Sequence, residues 1–224
     1  MDRLQLIKFA SENEKLQQFA RFLKRENLKY NLTAITGEEE IVSKHFYDSL
    51  AGANFLPQGA NVCDIGSGAG FPVIPLALLR EDCSFTGVDS TEKKVNFINA
   101  ACAMLGISNC YAVHARAEDV CRSGRESFDV VTSSAVAGLS TLAEYCLPLL
   151  KAGGVMIAYK GSQAEEELEE AHTALQVLGG VSTGIYPYTL PTGEMRNLVI
   201  VEKRASTPEK YPRGGNKPRL KPIK

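Results

Sequence analysis

The sequence predicts an α/β fold: a doubly wound, mainly parallel sheet with a helical cap at its N-terminus and an antiparallel hairpin at its end. Three observations predict it. From Asn61 onward, short β-rich runs alternate with helical stretches, the order that right-handed βαβ crossovers produce. A glycine-rich turn, Gly66-Ser67-Gly68-Ala69-Gly70, joins the first such run to the helix after it. Near the end, two consecutive strand-like runs are separated only by Pro191-Thr192-Gly193, which makes a hairpin rather than a crossover.

Residues 1–55 read as the helical cap. Ser11 followed by Glu14 fits a capping box, with Leu16, Phe19, Ala20 and Leu23 then recurring at helical spacing. Thr36 with Glu39 repeats the signal ahead of Ile41, Val42, His45, Phe46 and Leu50, and Tyr30-Asn31-Leu32-Thr33 reads as the loop between them. Residues 56–203 form the α/β domain. Its strands are expected at Asn61–Ile65, Ser84–Asp89, Cys110–His114, Phe128–Ser133, Gly154–Tyr159, Thr183–Leu190 and Asn197–Lys203. Its helices are expected at Pro72–Arg80, Glu92–Leu105, Leu139–Leu150 and Ala164–Leu178. Residues 204–224 are a basic tail. The stretch from Lys203 to the end holds four of the ten prolines and Gly214-Gly215, and is expected to be extended rather than helical.

Composition limits the function classes. With 44% hydrophobic and 23% charged residues among 224, the chain is an ordinary globular one. No apolar run approaches the ~18 residues that cross a bilayer, and Met1-Asp2-Arg3-Leu4-Gln5 lacks the layout of a signal peptide. The expectation is a cytoplasmic protein with no membrane partner. Six scattered cysteines without a C-x-x-C pair, and three dispersed histidines, predict reduced, buried thiols and no metal site. The net charge of −1 hides an asymmetry: Lys203–Lys224 carries eight basic residues and one acid, against 17 basic and 25 acidic residues elsewhere. Charge concentrated in this way points to a polyanionic partner.

The chemistry centres on Val62-Cys63-Asp64-Ile65-Gly66-Ser67-Gly68-Ala69-Gly70-Phe71-Pro72, a strand ending in an acid, three alternating glycines and a helix start. Glycines let the backbone pass close to a ligand, and such a loop lies at the carboxyl edge of a doubly wound sheet, where ligands bind. The spacing is not the G-x-G-x-x-G of a dinucleotide site. An aspartate before the loop would repel a pyrophosphate but balance a cation. The next strand ends in Asp89, where an acid can hold both hydroxyls of a ribose. A cationic nucleoside without phosphate satisfies this set, and S-adenosylmethionine is one.

The residues also resemble the bacterial glucose-inhibited division protein B family, the small-subunit rRNA methyltransferase G group. The matching stretches are Tyr30–Ile35, His45 with Asp48-Ser49-Leu50, Asp64–Pro72, Asp89-Ser90 with Lys93-Lys94, Arg116-Ala117-Glu118, Ala135-Val136-Ala137, Lys160-Gly161 and Tyr211-Pro212-Arg213. The resemblance implies a seven-stranded Rossmann-like methyltransferase sheet and methyl transfer from S-adenosylmethionine to N7 of a guanine in 16S rRNA of the small ribosomal subunit. It implies cofactor contacts at Gly66, Phe71, Ala117 and Glu118, beside the Asp89 read above. It also places Ser134 in the cofactor region, where the family has an arginine. Arg116 or Lys160 is a candidate to replace that charge, and Lys160 also a candidate substrate contact.

Attack by N7 needs no proton removed first, so the expected mechanism is alignment, with no catalytic acid or base. The enzyme is taken to act as a monomer. His45 reads as structural, with a substrate-facing role as the alternative. Two other functions stay open: methylation of another acceptor, and a catalytically weakened RNA-binding homologue, for which Ser134 is the hint.

Overall fold

A computed structural model describes residues 1–35 and 37–224. The seven-stranded sheet has the order β3-β2-β1-β4-β5-β7-β6. Its strands are β1 (Asn61–Ile65), β2 (Ser84–Asp89), β3 (Cys110–His114), β4 (Phe128–Ser134), β5 (Leu150–Lys160), β6 (Gly180–Thr189) and β7 (Met195–Lys203). The first five run parallel, while β7 pairs antiparallel with both β5 and β6. The chain reverses between β1 and β4: helices after β1 lead to β2 and β3 on one side, and the remaining strands lie on the other. The carboxyl ends of β1 and β4 therefore flank the point where ligands bind in such sheets.

Side chains of successive strand residues point to opposite faces, and the two faces have separate cores. Val62 and Val130 belong to one, and their neighbours Cys63 and Val131 to the other, all fully buried. The first face is covered by α1 (Arg3–Glu12), α2 (Glu14–Tyr30), a continuous helical stretch through α3 (Glu38–Glu40), Ile41–Phe46, α4 (Tyr47–Leu50) and Ala51–Phe55, and then α5 (Val73–Leu79) and α6 (Glu92–Leu105). Leu16, Phe19, Ala20 and Leu23 are buried there, as their spacing predicts. The second face is covered by α7 (Ala117–Ser123), α8 (Leu139–Cys146) and α9 (Ala164–Leu178).

Two tyrosines lock the N-terminal helices to the sheet. The Tyr159 hydroxyl on β5 donates to the Ser49 carbonyl at 2.7 Å, and the Tyr188 hydroxyl on β6 donates to Asp48 Oδ1 at 2.6 Å. Gly52 is required under Tyr159, because a Cβ there would lie 2.4 Å from its hydroxyl oxygen.

Several local expectations need correction. Ser11 does not cap a helix: its hydroxyl donates to the Ile7 and Lys8 carbonyls within the last turn of α1. Asn13 caps α2 instead, accepting from Leu16 N–H, and the capping box belongs to Asp2 with Gln5 at the start of α1. The Thr36–Glu39 signal rests on Thr36, which lies outside the described residues. The helix after the glycine loop starts at Val73, with Pro72 at its N-cap. The helix expected over Leu139–Leu150 ends at Cys146, because Leu147–Leu149 tighten into a 3₁₀ turn around Pro148 and Leu150 begins β5.

The tail also differs from an extended basic arm. It folds back over the second face and ends in a short helix, α10 (Lys217–Leu220). Arg125 donates to the carbonyls of Thr207, Pro208 and Tyr211, and Thr141 Oγ1 donates to the Pro218 carbonyl at 2.9 Å. Half of the basic residues from Lys203 onward are committed. Lys203 is buried, its ammonium donating to the Leu147 carbonyl and Thr207 Oγ1, with burial pushing its pKa down to about 8. Arg204 pairs with Glu202, Arg213 with Glu144, and Arg219 enters the cleft described below. Lys210, Lys217, Lys221 and Lys224 remain exposed. No described helix is long and apolar enough to cross a membrane.

Candidate active-site cleft

At the carboxyl edge of the sheet lies a cleft of about 460 Å³. It gathers Gly66, Phe71, Asp89, Ala117, Glu118 and Ser134, six residues from the carboxyl ends of four strands and the segments that follow them. Each sits where its strand delivers it: Gly66 and Phe71 after β1, Asp89 at the end of β2, Ala117 and Glu118 after β3, and Ser134 at the end of β4.

The floor is built by the β1 loop. Gly66 (φ 77°) and Gly68 (φ 56°) take the left-handed conformation, which costs other residues about 1–2 kcal/mol. A Cβ on Gly66 would lie 2.2 Å from Val136 Cγ2, so the loop after β4 presses directly on it. That second loop is itself constrained, with Ala135 at φ 55°. Ser67 supports the floor from below, accepting from Val88 N–H and donating to the Asp64 carbonyl.

Asp89 is only 7% exposed. Its Oδ2 accepts from Gly68 N–H at 3.0 Å and its Oδ1 from Thr91 N–H at 2.8 Å, with Lys94 Nζ 3.9 Å away. These bonds fix the carboxylate while each oxygen keeps lone-pair capacity for a ligand hydroxyl. Glu118 stands in the first turn of α7, after the N-cap Arg116, and lines the cleft.

Over the other wall, Phe71 stacks on His45 with ring centroids 4.4 Å apart and planes within 13°. His45 Nε2 lies 3.0 Å from Thr33 Oγ1, and burial lowers the imidazole pKa, which keeps the ring neutral near pH 7. Ile41–Phe46 has the wide π-helical turn that often marks functional sites, and it carries His45 to the cleft. The Tyr30–Ile35 motif is also placed here, through Leu32 and Thr33.

Two residues singled out in the sequence lie elsewhere. Asp64 does not line the cleft: it is 1% exposed beneath the floor, with Oδ1 accepting from Thr132 Oγ1 at 2.7 Å and Oδ2 without a partner among the described residues. Burial raises its pKa to about 7. Lys160 is also withdrawn from the cleft, its buried ammonium donating to Glu167 Oε2 at 2.6 Å and the Ala137 carbonyl at 2.7 Å. It is not placed to touch a substrate or replace a charge at Ser134. The cleft adds Tyr145, Asn216 and Arg219, which the sequence reading did not select.

The Asp64 carboxyl has a measurable signature. With its folded pKa raised from 3.8 to about 7, the native state holds a proton that the unfolded state releases between those values. Stability therefore falls as pH rises through this window. Asp64→Asn is expected to remove a loss on the order of 3 kcal/mol, measured as a smaller drop in urea-unfolding free energy between pH 5 and pH 8. Equal drops in the two proteins would refute the assignment.

The fold and the placement of the cleft define a Rossmann-like methyltransferase fold. Solved structures share it at low identity: an rRNA methylase from Streptococcus thermophilus has a TM-score of 0.51 at 20% identity, covering 70% of this chain and 93% of that one. TYW2 of M. jannaschii, solved in complex with AdoMet, has a TM-score of 0.58 at 14% identity, covering 72% and 76%. Residues 12–205 match the family described as rRNA small subunit methyltransferase G. Proteins named ribosomal RNA small subunit methyltransferase G are 48% identical in Lactobacillus delbrueckii subsp. bulgaricus (92% of this chain, 91% of the relative) and 46% identical in Macrococcus caseolyticus (96% and 93%). The chain belongs to the rRNA small subunit methyltransferase G family.

Proposed function

We propose that the protein transfers a methyl group from S-adenosylmethionine to N7 of a guanine in 16S rRNA of the small ribosomal subunit. The observation that carries this reading is the convergence of Gly66, Phe71, Asp89, Ala117, Glu118 and Ser134 in one cleft of a chain that belongs to this family. The cleft fits the cofactor on its own chemistry. It has a glycine floor that a single Cβ would fill, a fixed carboxylate with spare lone pairs, and an aromatic wall.

The bound cofactor supplies an electrophilic methyl group on a sulfonium. Asp89 would accept hydrogen bonds from the ribose hydroxyls, Ala117 and Glu118 would meet the edge of the adenine, and Gly66 would let the ligand lie close to the loop backbone. Phe71, backed by His45, covers an apolar surface and excludes water. No side chain has to remove a proton, because N7 of guanine offers a free lone pair. What these residues would contribute is orientation of the bound cofactor and the incoming base, with no proton transfer by a side chain. The target base enters the cleft unstacked, and the exposed lysines of the C-terminal segment hold the RNA backbone. Binding to RNA should therefore weaken steeply with salt.

The test is methyl transfer from labelled S-adenosylmethionine to small subunits purified from a strain lacking the activity. Label is expected in 16S rRNA, and Asp89→Asn is expected to raise the cofactor Kd about tenfold or more, the loss of a charge-assisted hydrogen bond. Label confined to protein or to large-subunit RNA would refute the proposal.

A further inference from the structure

One of the basic groups at the cleft comes from outside the sheet and its crossovers. Arg219, in α10, reaches it from the folded-back C-terminal segment, and its Nη2 donates to the Val136 carbonyl at 3.0 Å. The other N–H groups of the guanidinium have no hydrogen-bond partner among the described residues. We infer that Arg219 is a ligand-binding residue whose guanidinium holds the carboxylate at the amino-acid end of the cofactor. This rests on the cofactor reading of the cleft proposed above.

The order of the strands supports the assignment. Across the edge run β3, β2, β1 and β4. Glu118 follows β3 and Asp89 ends β2, so base and ribose occupy that half. A nucleoside laid in this direction extends its 5′ substituent over Gly66 toward the end of β4. Val136, whose side chain meets the Gly66 floor and whose carbonyl anchors Arg219, lies in the loop after β4.

The other cationic groups lie in the wrong places. Lys94 sits beside Asp89, and Arg116 is the N-cap of α7 on the β3 side. Lys160 is spent on Glu167, and His45 is neutral against Phe71. Ser134, at the end of β4, brings no charge. A carboxylate there would face no cation without Arg219, whereas a guanidinium offers it two parallel donors.

The segment is built to hold this position. Glu144 is fully buried in α8 and receives Arg213 Nε at 2.9 Å, Nη2 at 2.7 Å and the Arg213 N–H at 2.8 Å. Arg213 Nη2 also donates to the Lys221 carbonyl at 2.8 Å, and Thr141 donates to the Pro218 carbonyl. Arg219 thus hangs between two anchors, and its own side chain is exposed at the rim.

The experiment is isothermal titration of the full chain with two ligands, S-adenosylmethionine and its decarboxylated analogue, which lacks only the carboxylate. Arg219→Gln is expected to weaken S-adenosylmethionine binding about tenfold, to change the Kd of the analogue less than twofold, and to leave the thermal midpoint unchanged. Ser134→Arg in the Arg219→Gln background is expected to recover part of the loss, by returning a guanidinium to the same end of the cleft. Equal loss for both ligands, or no loss for either, would overturn the assignment. So would an unchanged cofactor Kd with a raised KM for the RNA subunit, which would place Arg219 on a phosphate. Failure of the unaltered protein to bind S-adenosylmethionine would instead remove the cofactor reading of the cleft.

Discussion

Gly66→Ala is expected to abolish useful cofactor binding, raising the Kd for S-adenosylmethionine at least 100-fold while the protein still folds. Two independent costs meet at this position. The left-handed φ of 77° penalises any side chain by about 1–2 kcal/mol. The new Cβ would also lie 2.2 Å from Val136 Cγ2, closer than atoms pack. Val136 cannot simply turn away, because its loop is held by Ala135 in a left-handed conformation and by Arg219 on the Val136 carbonyl. The floor must therefore shift, and with it the Gly68 N–H that orients Asp89. Titration calorimetry reads the loss, and Gly66→Ala with Val136→Ala separates the two costs. The double variant relieves the collision but not the backbone strain, so partial recovery is expected. An unchanged Kd in Gly66→Ala would contradict the placement of the ligand on this loop.

Glu144→Gln is expected to produce the largest loss of stability. Glu144 is 0% exposed and accepts three hydrogen bonds from Arg213 through its side chain and one from the Arg213 backbone N–H. Removing one partner of a buried ion pair costs about 3–5 kcal/mol. The Arg213 side chain keeps 28% exposure, so water recovers part of that, and about 2–3 kcal/mol remains. For a chain of this size the thermal midpoint should fall by roughly 5–10 °C. The second readout is local: the C-terminal segment should become accessible to trypsin at Arg213 and Arg219, whose following residues are Gly214 and Leu220, before the body unfolds. Cofactor affinity should drop with it, because Arg219 loses its anchor. A midpoint within 1–2 °C of the original, roughly below 0.5 kcal/mol, would show that the pair is not what holds the segment.

The parallel strands were legible because their residues alternate between apolar sets with clear boundaries. Asn61–Ile65, Ser84–Asp89 and Cys110–His114 are observed as expected. So are the helices Glu92–Leu105 and Ala164–Leu178, which end on Gly106 and Gly179 in the left-handed conformation. The short α7 was missed: of its seven residues only Cys121 is buried, too little apolar repeat to show a period. Ser11 misled because serine near a helix end serves either as a cap or as a donor to the preceding turn, and only the backbone decides.

The candidate site followed the same division. Asp64, Gly66 and Asp89 stood out because a strand end, a glycine loop and an acid form a local pattern. Asp64, read from the sequence as able to balance a cationic ligand, lies beneath the cleft, since exposure at a strand end depends on the neighbouring strand, here Thr132 of β4. Arg219 and Tyr145 carried no local signal. They reach the cleft through contacts between segments far apart in the chain, such as Arg213 with Glu144. The basic charge of the last residues was visible, but its division into buried, paired and exposed groups was not.

In the proposed function the cleft presents a sulfonium methyl group to N7 of a guanine in the small-subunit RNA. The most direct test of this is the identity of the nucleoside that carries label after methyl transfer to small subunits lacking the modification. Digestion of the 16S rRNA to nucleosides, followed by mass spectrometry, should give 7-methylguanosine as the sole labelled product. A methyl group on an exocyclic amine, a ribose hydroxyl or a pyrimidine would contradict the account, because those positions either require a proton to be removed or present a different nucleophile to the cleft.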